Sequence, residues 1–171
     1  MSVTRKLWVL AVVSALVVAG VSASAALRAP DRQETGPVYS VEGAWYGITD
    51  ITGLPPTPTL DTFTSNAQRP GREGTFLCTV PAAVAGNQTP SGHGNWVRIG
   101  TNQYAFTAVR AITNGATFVG WAKYWGTITA ISDDELTGTI NAQFYLANGT
   151  PISPVYGGTL ERHRVEITFE Q

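Results

Sequence analysis

From Thr139 to Leu146 the chain alternates without a break. Ile140, Ala142, Phe144 and Leu146 fall on one side, and Thr139, Asn141, Gln143 and Tyr145 on the other. A period of two marks a strand with one apolar and one wetted face. Beyond residue 37 no segment of useful length carries the period of an amphipathic helix. Runs of β-formers broken by turn residues predict strands near 40–49, 59–64, 74–79, 94–99, 103–112, 117–131, 135–146 and 155–168.

The connections between these runs decide the topology. Asn114-Gly115 and Asn148-Gly149 are strong hairpin signals, because type I′ turns need positive φ at both central residues. Gly100-Thr101-Asn102 and Asp133-Asp134 join further neighbours. No crossover is long enough for a parallel sheet. Sequential strands with short connections pair with their neighbours. The expected fold is all-β: an antiparallel up-and-down meander whose edges vanish if it closes into a barrel of roughly eight strands. A barrel of that size can hold one small ligand. Two connections are longer, residues 50–58 and 80–93, and long loops on a short-loop scaffold are where function concentrates.

The first residues follow a different pattern. Met1 to Lys6 is short and basic, Leu7 to Val21 is apolar apart from Ser14 and Gly20, and Ala23-Ser24-Ala25 is a small-x-small site. That order is the one expected of a secretory signal. The expected organisation is a signal peptide at 1–25, a disordered leader at 26–37 and the β-barrel domain at 38–171. The protein is then secreted, periplasmic or extracellular, and it meets a membrane only during export. Cleavage would leave nine basic against twelve acidic residues, with Lys123 the only lysine. Nucleic acid is therefore excluded as a natural partner. Cys78 is the only cysteine, so no internal disulfide can form. With nothing basic flanking it, a buried and inert thiol is expected.

Several side chains could carry chemistry. His93 stands between Gly92 and Gly94, where a ligand could approach the ring, and histidine can act as acid, base or ligand near neutral pH. It could equally serve only to form the turn. His163 is the other histidine, and the spacing of the two carries no metal signature. Phe118 and Tyr124 fall on one face of their strand, and Trp121, Lys123 and Trp125 on the other. Arg110 shares a face with Tyr104, Phe106 and Ile112. Because arginine is rarely fully buried, an outward or rim position is expected for it. If the face points inward instead, Arg110 needs a carboxylate or an anionic ligand. Tyr104, Phe106, Phe118, Tyr124 and Phe144 are the expected ligand-lining set, and His93, Arg110 and Tyr104 the candidates for catalysis. No cofactor or metal motif is present.

Gly43-Ala44-Trp45 on the first strand resembles the G-x-W signature of the calycin superfamily, the lipocalins, avidins and their relatives. The resemblance implies a barrel whose Trp45 closes one end beneath a basic residue from a late strand, here Arg162 or Arg164. That role is structural. The stretch Ser91-Gly92-His93-Gly94-Asn95-Trp96, with Tyr104 to Thr107 after it, also resembles a group of small secreted bacterial proteins. That likeness supports the domain's boundaries more than any activity.

Three functions suit such a barrel. It could bind a small hydrophobic molecule in its interior. It could be an enzyme resembling allene oxide cyclases or dirigent proteins, which hold a reactive apolar substrate in a productive shape. It could be a structural or adhesive surface protein with a filled core.

Overall fold

The computed structural model describes residues 37–80 and 91–166. The expected signal segment, the leader up to residue 36, most of the second long loop and the end of the last expected strand lie outside the described residues.

Among the described residues eight strands form: β1 (Gly43–Ile51), β2 (Thr57–Ser65), β3 (Glu73–Thr79), β4 (Gly92–Arg98), β5 (Gln103–Asn114), β6 (Thr117–Ala130), β7 (Glu135–Leu146) and β8 (Tyr156–Arg164). Each pairs antiparallel with its sequence neighbour, and β1 pairs with β8 to close the barrel. Every strand therefore has two partners and none presents a bare edge. The two glycines of the expected hairpin turns have the positive φ those turns demand, 58° at Gly115 and 86° at Gly149.

The period of two sorts the side chains as the pattern predicts. On β5, Tyr104, Phe106, Ala108 and Arg110 are buried, while Thr107 and Val109 face solvent. One strand breaks the rule. Between Ile112 and Thr113 the register of β5 on β6 slips: Ile112 faces Gly120, but Thr113 faces Phe118. Val119 is the extra residue of a β-bulge, and alternation reverses across it. Phe118 is consequently turned to the outside, against the expectation that it shares the inner face with Tyr124. There it meets Trp121 edge to face at 4.7 Å.

The two ends of the barrel differ. One end is plugged. Residues 37–42 run across it, held by Tyr39 N donating to Asn102 Oδ1 at 2.9 Å, Asn102 Nδ2 donating to Pro37 O at 3.0 Å and Tyr104 Oη donating to Tyr39 O at 2.6 Å. Val41 and Trp45 are fully buried there, and Trp45 Nε1 donates to Val41 O at 2.8 Å. Phe63, Trp96 and Leu136 complete this packed half. Arg164 Nη1 donates to Glu42 O at 2.9 Å, so the last strand anchors the plug.

Candidate functional site

The other half of the interior is hollow. A cavity of about 740 Å³ opens at the end where the β1–β2, β5–β6 and β7–β8 connections gather. Leu54, Pro55 and Pro56 line it from the first of these, Ile112 and Val119 from the strand ends beside the second, and Ile152 from the third. Phe76, Phe106, Ile128, Ile140 and Leu160 bound it deeper down, and Ala122 and Phe144 form part of its wall. Three aromatic rings run in series beside it, Phe63 stacked on Phe76 at 4.6 Å and Phe76 edge-on to Phe106 at 5.2 Å. A second hollow of about 590 Å³ lies on the outer surface over β3–β5, and Thr75, Asn95 and Thr107 line it. It includes none of the buried charges.

Those charges all line the interior cavity: Asp61, Arg110 and Arg162. Two of the three satisfy one another. Arg162 Nε donates to Asp61 Oδ2 at 2.6 Å, Nη2 to Thr49 Oγ1 at 2.6 Å, and Nη1 to the carbonyls of Ile48 and Glu161 at 2.7 and 2.8 Å. Arg162 thus uses most of its five donors. Asp61 Oδ1 and the neighbouring Thr59 Oγ1 have no partner among the described residues. Burial pushes the Asp61 carboxyl up, against the pull of Arg162 and, less strongly, of Arg110.

Arg110 is placed differently. It is 4 % exposed, so the outward or rim position expected for it is overturned. Strand parity prevails over the general reluctance of arginine to be buried, because Tyr104, Phe106 and Ala108 on the same face are fixed in the core. Its guanidinium lies 5.0 Å from the centre of the Tyr124 ring, and its Nη2 reaches Cys78 Sγ at 3.8 Å. Its Nε has no partner among the described residues. A thiol is a weak acceptor. An unmet buried donor costs about 1–3 kcal/mol, and more on a charged group. Burial also pushes the Cys78 thiol and the Tyr124 phenol up, so both are neutral at physiological pH and neither balances the cation. Gly92 makes room for this contact, since a Cβ there would come within 2.6 Å of Cys78 Sγ.

The residues singled out in the sequence thus divide. Phe106, Tyr124, Phe144 and Arg110 meet at the cavity. Tyr104 is buried in the plugged end, where it holds Tyr39 and is not among the cavity's lining. His93 is not at a loop tip. It lies within β4, opposite Leu77 and Val109, and faces outward. The flanking glycines point into the barrel and the imidazole out. Lys123 Nζ covers the Trp125 ring on the outside, 5.6 Å from its centre. Of the two arginines offered for Trp45, Arg164 takes the place, 4.2 Å above the ring. Arg162 turns instead to the cavity. Asp61 and Thr49, its partners, are not among the residues singled out in the sequence. The available signal was parity: Asp61 lies between Thr59 and Phe63 on an inward face, where a carboxylate needs a cation.

No protein-family model, no curated protein and no solved structure matches this chain.

Proposed function

We propose that the barrel binds a small hydrophobic molecule in its interior. The carrying observation is the 740 Å³ cavity, walled mainly by apolar side chains and reached from one end only, the other being plugged. That volume is the size of ordinary small-molecule sites, roughly 300–1,000 Å³. A barrel with a purely structural task would fill its interior to crystalline density. A ligand of roughly 20 heavy atoms at about −0.3 kcal/mol each would bind in the tens of micromolar range. The Trp45–Arg164 stack at the plugged end supports a calycin-like reading of the barrel. The signal-like first residues support a protein that works after export.

The buried polar group beside an apolar cavity favours one further reading, an isomerase or cyclase on an apolar substrate. Arg110 would then polarise a substrate oxygen, and Tyr124 would shape the pocket.

Protein purified from its source should release a bound hydrophobic compound on denaturation and solvent extraction, read by mass spectrometry. The emptied protein should brighten Nile red fluorescence in the micromolar range. An extract with no such compound, together with no Nile red signal at any soluble concentration, would sink the binding reading. Conversion of an extracted compound to an isomer by the purified protein would favour the enzyme.

A further inference from the structure

We propose that the ligand is a monoanionic amphiphile whose carboxylate pairs with the guanidinium of Arg110 where it lines the cavity. This rests on the reading of the barrel as a ligand-binding protein and narrows it to one chemical class.

Among the described residues the interior holds two cations and one carboxylate, and the carboxylate is already committed. Asp61 Oδ2 lies 2.6 Å from Arg162 Nε, and both side chains are almost fully buried. Arg110 lines the same cavity with no carboxylate paired to it among the described residues. The connection 81–90 from β3 to β4 contains no Asp or Glu that could supply one. Among the described residues the buried Nε has no partner, and Nη2 meets only a sulfur, at 3.8 Å. A guanidinium presents parallel donors that match the two oxygens of a carboxylate. The Tyr124 ring on one face of the guanidinium holds it in place.

Charge also limits the head group. A single negative charge neutralises Arg110 and leaves the Asp61–Arg162 pair undisturbed. A dianion would set a second negative charge near Asp61 with no cation left to balance it. The rest of the ligand must be apolar, because Phe76, Phe106, Ile140 and Phe144 bound the space around it. Fatty acids and carboxylated terpenoids share this chemistry.

The test uses dodecanoate and dodecanol, equal in chain length and different in head group, to displace Nile red from wild type and from Arg110→Gln at neutral pH. In wild type, dodecanoate should displace the dye at a concentration about tenfold or more below that of dodecanol. Arg110→Gln should abolish that preference while dodecanol still displaces. Arg110→Met, which keeps the stem's bulk without its charge, serves if the Gln variant does not fold, with circular dichroism as the check. Equal displacement by acid and alcohol in wild type overturns the anion assignment and leaves the cavity as a binding site. A preference for acid that persists in both variants overturns it too. If neither the dye nor either chain enters the protein, both the assignment and the binding reading fall.

Discussion

The guanidinium of Arg164 lies over the indole of Trp45, 4.2 Å from the ring centre, and joins the first strand to the last. Its Nη1 and Nη2 also donate to the carbonyls of Glu42 and Ser40, and its Nε to that of Asp133. One side chain thus ties the plug and the β6–β7 turn to the closing seam. The nearby Asp134 is largely exposed, so that ion pair adds little. Replacing Arg164 with Ala should cost about 1–3 kcal/mol in urea unfolding, from the lost ring contact and carbonyl bonds. Arg164→Lys should recover only part, because lysine lacks the planar fork. Ligand affinity should stay unchanged in both, since the cavity is at the other end. A loss below about 0.5 kcal/mol for the Ala variant would mean the stack is incidental.

Asp61 and Arg162 are 101 residues apart in sequence and form a pair buried from solvent. Removing one partner leaves an uncompensated charge in the interior. Arg162→Met alone should destabilise the barrel by about 3–5 kcal/mol. The double variant Asp61→Leu with Arg162→Met should be milder than either single change. A double-mutant cycle reads the difference directly. Additive costs in that cycle would show that the two groups are not coupled.

The barrel should weaken in alkali. Burial raises Cys78 above its ordinary 9.0, and Tyr104 and Tyr124 above 10.0. In each case the unfolded chain releases its proton first. Their contribution to stability is therefore complete below about pH 9 and falls as the pH climbs through 9 and then 10. The urea midpoint should drop between about pH 8 and about pH 11, and the drop should shrink in Cys78→Ala with Tyr124→Phe. A midpoint flat across that range would contradict the burial of these groups. At neutral pH the Cys78 thiol should react slowly with disulfide reagents until the protein is denatured.

The bulge at Val119 separates two phenylalanines that the strand pattern treats alike. Phe144→Ala should weaken Nile red binding several-fold, because that ring lines the cavity. Phe118→Ala should leave binding untouched and cost about 0.5–1.5 kcal/mol for the Trp121 contact. Should Phe118→Ala impair binding as much as Phe144→Ala, the outer placement of Phe118 would be wrong.

Much of the scaffold was readable from residues alone, and the reasons are local. Alternation along 139–146 and the Asn-Gly turns depend only on neighbours in sequence, so the strands and their order followed from them. Three features escaped for reasons that are not local. The bulge depends on how β5 and β6 settle against each other, and neither strand announces it. The burial of Arg110 follows from strand parity, which was legible, but a general expectation about arginine pointed the other way. The Asp61–Arg162 pair exists only because β1 meets β8 and brings Asp61 of β2 and Arg162 of β8 to either side of β1. His93 has the chemistry of a site residue and glycine neighbours that would suit one. In the fold those glycines serve close strand packing, a role that composition does not distinguish from access for a ligand.

The seam between β1 and β8 has a consequence in time as well as in space. Trp45 opposite Arg164 and Asp50 opposite Thr159 are contacts between the two ends of the domain. Such distant pairings make folding slow, because a long loop must close before any contact rewards it. Until the final strand arrives, β1 has an unpaired edge, Asp61 lacks Arg162 and Trp45 lacks Arg164. A nascent chain still lacking its C-terminal strand cannot complete the ring. The polypeptide should therefore remain open until β8 has been made, and only then can the barrel close.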